Sequence, residues 1–175
     1  MIAKNMKLKI IFLLLLAFPV AVKAAPIDNL ASDLSNQIKS TQTIRIAVLT
    51  FPYVDGFDSD GSKIVQERMI TAFSHDKKFS ILERALLHKI LKEKKLEMSG
   101  LFDETTTIKL GRMLGVEAVL TGTLIDLNDA QTEINARIIN ANTGEIMASG
   151  KVAVKRIWKD KISIPKPIFN PTPCL

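Results

Sequence analysis

Apolar and polar residues alternate most regularly over residues 116–154, and the elements predicted there organise the rest of the chain. Over 132–140, Ile134, Ala136 and Ile138 interleave with Glu133, Asn135 and Arg137, the two-residue period of a strand with one buried face. Asn142-Thr143-Gly144 then turns the chain. The return run sets Ile146, Ala148, Gly150, Val152 and Val154 on the core side against Glu145, Ser149, Lys151 and Lys155, which predicts a hairpin with Ile146 facing inward. A strand over 118–125 precedes it through the polar tip Asn128-Asp129, giving a three-stranded antiparallel meander. One face of such a meander needs a cover, and the upstream residues supply helices for it.

Ile27, Leu30, Ala31, Leu34 and Ile38 form one stripe of an amphipathic helix, with Asp28 in its first turn. The run 44–51 is β-branched and nearly all apolar, as suits a central strand covered on both faces, and Pro52 is expected to end its hydrogen bonding. Beyond a Gly- and Asp-bearing loop over 53–61, Ile64, Val65, Met69, Ala72 and Phe73 mark a second helix. A short strand at 79–82 leads to Glu83-Arg84, where a third helix opens with the apolar stripe Leu86, Leu87, Ile90, Leu91 and Met98. Lys89, Lys92, Glu93, Lys94 and Lys95 lie on its other side. Asp103 is placed to cap a fourth helix, whose packed face is Thr107, Leu110, Gly111 and Leu114. Gly115 stands where a left-handed stop is needed. This order predicts the α/β class: a single domain with a mixed sheet, a C-terminal antiparallel three-stranded meander and helices packed on its faces.

The two ends of the chain differ in kind from this middle. Lys4, Lys7 and Lys9 precede an apolar run over 10–18, and Val22-Lys23-Ala24 resembles a cleavage site, so residues 1–24 read as a cleaved signal peptide. The run is about half the ~20 residues that a bilayer span requires, and Pro19 follows it. The α/β domain is then expected over 25–156, followed by a Pro-rich, flexible tail over 157–175 with Pro165, Pro167, Pro171 and Pro173. The single cysteine, Cys174, excludes an intramolecular disulfide, and no cysteine stands near the cleavage site to accept a lipid. Of the formal charge of +6, four lysines belong to the leader and no acid does, which leaves +2. So modest a charge on an exported protein argues against nucleic acid as a partner.

The candidate chemistry is sparse. His75 and His88 have no second histidine or cysteine at ligand spacing, and no nucleophile with an orienting partner can be named, so no enzyme and no cofactor are expected. Asp58, Asp60 and Glu67 would fill the third, fifth and twelfth positions of a calcium loop, but Gly56 stands at the first; a helix start explains the same residues. Lys89, Lys92, Lys94 and Lys95 make either a solvated helix face or a salt-sensitive contact with an anionic envelope surface. Trp158, at the head of the tail, is a further candidate contact for a partner.

With these residues in view the chain resembles the envelope family of the curli secretion component CsgG, to which the penicillin-binding protein activator LpoB and the amino-terminal domain of TolB are similar. The resemblance rests on Ile46-Ala47-Val48-Leu49-Thr50-Phe51, Glu83-Arg84, Gly111 with Gly115-Val116, Thr121-Gly122-Thr123, Ala136-Arg137-Ile138-Ile139-Asn140 and Thr143-Gly144-Glu145, in that order over about 44–154. It implies a non-catalytic periplasmic or outer-membrane-associated module that binds other cell-envelope proteins and assists assembly or secretion of an envelope structure. The alternatives are a subunit of an oligomeric outer-membrane channel or ring, hence a homo-oligomer, and a small-molecule or calcium-binding periplasmic protein. The channel would need further amphipathic hairpins, whereas every alternating segment is already used in the predicted sheet.

Overall fold

The computed structural model describes residues 25–93 and 104–159. In chain order they form α1 (Pro26–Gln37), β1 (Ile44–Val48), α2 (Asp60–Ser74), β2 (Phe79–Ile81), α3 (Arg84–Glu93), α4 (Glu104–Leu114), β3 (Ala118–Asn128), β4 (Gln131–Asn140) and β5 (Ile146–Lys155). The strands make one sheet in the order β2-β1-β3-β4-β5, parallel among the first three and antiparallel among the last three. The mixed sheet and its C-terminal meander are as the alternation predicts. The leader, Lys94, Lys95, Met98, Asp103, Cys174 and the prolines of the tail lie outside the described residues.

α1 and α2 cover one face. Ile27, Leu30, Ala31 and Leu34 form the buried stripe of α1, joined by Val65, Met69 and Phe73 from α2 and by Ile46, Phe51, Leu120, Ile134 and Ile138 from below. Each fully buried Leu, Ile or Phe of this kind contributes about 1.5–3 kcal/mol over an exposed one, and these dominate the larger core. α3 and α4 cover the other face only at its β1–β3 end. There Leu87, Leu110 and Leu114 pack with Ala47, Leu49, Leu82, Val119 and Ala141. α4 stops as predicted: Gly115 sits at φ 62°, its N–H reaches the Arg112 carbonyl, and the Val116 N–H reaches Gly111 at 3.1 Å.

Three expectations need correction. Pro52 does not end the ladder: a proline lacks only the donor, and its carbonyl accepts from Leu124 N–H at 2.8 Å, so Tyr53 still aligns with Leu124. Ile146 does not face the core. Ile138 pairs with Ala148 but Ile139 pairs with Ile146, so one extra residue enters β5, and Ile146 is turned outward at 59% exposure. Leu86 is exposed as well, leaving Leu87 as the buried member of that pair; the side chains of Ile90, Leu91 and Thr107 are outside the described residues.

Candidate protein-docking surface

The calcium-loop residues have been put to another use. Ser59 caps α2, its hydroxyl accepting from Ser62 N–H at 3.0 Å while Ser62 Oγ accepts from Ser59 N–H at 3.0 Å. Because the helix begins at Asp60, Asp60 faces Lys63 from the exposed first turn and Glu67 lies well inside the helix. Asp58 is exposed before the cap. A calcium loop requires these three carboxylates to curl around one point, and the helix start separates them. Among the described residues no group of three His, Cys, Asp or Glu side chains converges. His75 is exposed at the end of α2, and the His88 side chain is not described. Lys89 and Lys92 are exposed on α3.

Trp158 is buried, not displayed on a tail. It is 7% exposed, its indole N–H donates to the Tyr53 hydroxyl at 3.0 Å, and its ring lies so close over Gly61 that a Cβ there would come within 2.4 Å. Tyr53 donates to Asp126 Oδ1 at 3.1 Å, Thr132 donates to the same oxygen at 2.7 Å, and Arg156 Nη1 stands 3.1 Å from Asp126 Oδ2. Burial raises the pKa of the Tyr53 phenol above its ordinary value, more than the indole hydrogen bond lowers it. The cluster closes the end of the core at the β3–β4 hairpin, and Tyr53, Asp126, Thr132, Arg156 and Trp158 are tied to one another in it. It is a structural lock.

Among the described residues, the part of the sheet that no helix covers is the face of β3–β5 opposite α1 and α2. Its register sets out rows across the three strands: Thr121, Arg137 and Ser149; then Thr123, Asn135 and Lys151; then Ile125, Glu133 and Ala153. Gly122, Ala136 and Gly150 lie in line between the first two rows and turn their side-chain positions towards the core on the other face. Gly122 is required from beneath, where an added Cβ would come within 2.6 Å of the Phe51 ring. The result is an open concavity of about 470 Å³. Ile146, which lines it, is 59% exposed, and Ile125 and Leu127, farther along β3, are 38% and 50% exposed. Glu133 is held by Lys151 at 3.2 Å and by the Asn135 amide at 3.2 Å, and these contacts lower its pKa. So open a face suits contact with another macromolecule better than enclosure of a small molecule. Sequence reasoning supplied the polar alternation of this face, but not its being left open.

These features define an α/β domain with a half-covered mixed sheet and a displayed meander. The family described as "Curli production assembly/transport component CsgG" matches residues 29–130, more than half of the chain, and the chain belongs to that family. The match ends at the β3–β4 turn, so β4 and β5 lie beyond it. Among solved structures, the fold is similar to the LpoB C-terminal domain from Salmonella enterica, at 20% identity and a TM-score of 0.62, over 75% of this chain and 96% of that one. The Escherichia coli LpoB C-terminal domain is similar at 19% identity and a TM-score of 0.61, with the same coverage. Lipoprotein GNA1162 from Neisseria meningitidis is similar at 18% identity and a TM-score of 0.51, over 65% of this chain and 81% of that one. At such identities the likeness is one of fold. No curated protein matches the chain. Among the described residues no helix is long and apolar enough to cross a membrane.

Proposed function

We propose that this protein is a non-enzymatic interaction module of the cell envelope, which assists assembly or secretion of an envelope structure by holding another envelope protein on the bare face of β3–β5. The observation that carries the reading is that face: an open concavity lined by exposed Ile146 together with Thr123, Asn135, Arg137 and Lys151, with exposed Ile125 in the next row of the sheet. Membership of a family described by assembly and transport supports the same reading. Residues 1–24 export the chain, the cut follows Ala24, and the mature protein works unlipidated in the periplasm or peripheral to the outer membrane.

Site-specific photo-cross-linking in intact cells tests this directly. A cross-linker placed in turn at Ile146, Lys151 and Ile125, with one at Lys63 on α2 as control, is expected to capture a discrete envelope protein from the first three positions only. Capture from none of the three, with the protein confirmed in the periplasmic fraction, would overturn it. The mass of the mature chain reports the cleavage after Ala24, and the native mass distinguishes a docking monomer from a ring subunit.

A further inference from the structure

Arg137 is the residue of this face that the fold leaves unexplained. Its Nε is fully buried and has no hydrogen-bond partner, and among the described residues no carboxylate stands within ion-pair distance of its guanidinium. Guanidinium stays charged at every physiological pH and presents five N–H donors in a rigid plane. Partly removing such a group from water without a counter-charge is costly, which is why buried charges in proteins are ordinarily paired. Arg137 lines the concavity, in line between Thr121 and Ser149, so a group that pairs the accessible end of its guanidinium arrives from that side.

The neighbours set the chemistry of that group. The rows containing Arg137 and Asn135 hold two cations, Arg137 and Lys151, and no carboxylate; Glu133 in the next row is already taken by Lys151 and Asn135. Backbone N–H groups in the floor are tied into the ladders between β3, β4 and β5, so no cradle of main-chain donors exists for a phosphate. What remains is a planar fork flanked by Thr123 and Ser149 hydroxyls, with exposed Ile146 and Ile125 to either side. That pattern is complementary to a carboxylate set between apolar side chains.

We propose that the concavity receives an Asp or Glu side chain from an acidic, apolar-flanked segment of a partner protein, with Arg137 as its bidentate anchor. The proposal rests on the docking role given above and names the chemistry of the docked segment.

The test uses the full mature chain and two synthetic peptides, Ile-Leu-Glu-Ile-Glu-Leu and its Gln counterpart, followed by NMR at the Arg137 side-chain Nε–H. The acidic peptide is expected to shift that resonance saturably, the Gln peptide not to, and the effect to weaken at least several-fold between low and high salt. Arg137→Gln is expected to abolish the shift while the urea midpoint stays unchanged or rises, because the unpaired charge is removed. Arg137→Lys, which keeps the charge and loses the fork, is expected to weaken binding about tenfold. An unmoved Arg137 resonance at millimolar acidic peptide would overturn the proposal. So would equal shifts with the Gln peptide, a response only to vesicles of anionic lipid, or a lowered midpoint for Arg137→Gln, which would show a structural role instead. The peptide result bears on this chemistry alone. Failure here with successful cross-linking at Ile146 would leave the docking role standing, and the converse would leave a carboxylate site without a cellular partner.

Discussion

The indole N–H of Trp158 donates to the hydroxyl of Tyr53 at 3.0 Å, across more than a hundred residues of chain, and this pair closes the core. The two are the sole tryptophan and the sole tyrosine of the protein, so both ends of the contact can be followed spectroscopically. Trp158→Ala removes a buried ring that rests on Gly61 and is expected to cost about 3–5 kcal/mol in urea denaturation. Trp158→Phe keeps most of the area and loses the hydrogen bond, for about 1 kcal/mol or somewhat more. In the folded native protein, tyrosinate absorbance is expected to rise only above the ordinary phenol pKa of 10.0, because burial disfavours the ionised form. Any folded Trp158→Ala protein should titrate nearer to that value. Identical unfolding midpoints for the native protein and Trp158→Ala would show that the ring is not seated as described.

The ion pair of Asp126 with Arg156 is the second part of the same lock, with side chains only 11% and 5% exposed. Asp126→Asn keeps the shape and removes the charge that balances Arg156. The expected loss is about 3 kcal/mol, since an uncompensated cation then stays buried. Arg156→Met in the same protein should recover part of that loss, because the second change removes the stranded charge. A double-mutant cycle on urea midpoints reads the coupling, and strict additivity would mean that the two charges do not depend on each other.

How far these features could be read from the sequence depends on whether their cause is local. The meander is written in a two-residue period, and the α1 stripe in Ile27, Leu30, Ala31 and Leu34, so both were legible. The single extra residue near Met147 reverses the side of Ile146, and no periodicity reveals it, because the period resumes unchanged on either side. Trp158 carries no pattern of its own; its burial follows from where Tyr53 and Gly61 are brought by the parallel half of the sheet. Arg137 was legible as a polar-face residue of β4. That it stands unpaired follows from α3 and α4 covering only the β1–β3 end, a matter of packing between distant elements.

Asp76 supplies a pH dependence with a definite sign. Burial raises its pKa, but the Ser35 hydroxyl, the Lys78 backbone N–H at 2.9 Å and the Lys78 charge together outweigh burial, so the net direction is below the ordinary 3.8. A carboxylate with a depressed folded pKa stabilises the fold fully above its unfolded value. That contribution is lost as pH falls from there through the folded value. The effect is therefore expected below about pH 4 and absent at neutrality. In Ser35→Ala the Asp76 carboxyl should titrate at higher pH in carbon-detected NMR, and the protein should be less stable at neutral pH but lose less stability on acidification, because the gap between folded and unfolded pKa narrows. An unchanged Asp76 titration would remove Ser35 as a cause.

Gln37 guards the outer edge of the sheet. Among the described residues β5 has no neighbouring strand on its far side, and such an edge is the kind of surface on which another chain adds itself. The Gln37 amide imitates such a strand at one residue: its Nε2 donates to the Ser149 carbonyl at 3.0 Å, and its Oε1 accepts from the Ser149 N–H at 3.2 Å. A further hydrogen bond from Nε2 to Asp33 O at 3.2 Å holds the side chain in place. Beyond Ser149, Lys151 and Lys155 place flexible charges along the same edge, which discourages like strands from approaching. Gln37→Ala is expected to speed Ser149 amide exchange about tenfold, corresponding to about 1.4 kcal/mol for a lost hydrogen bond. Adding Lys151→Thr and Lys155→Thr should then bring concentration-dependent self-association in sedimentation velocity, whereas the two lysine changes with Gln37 in place should bring less. If the triple variant sediments as the parent does, the edge is kept free by something other than Gln37 and its two lysines.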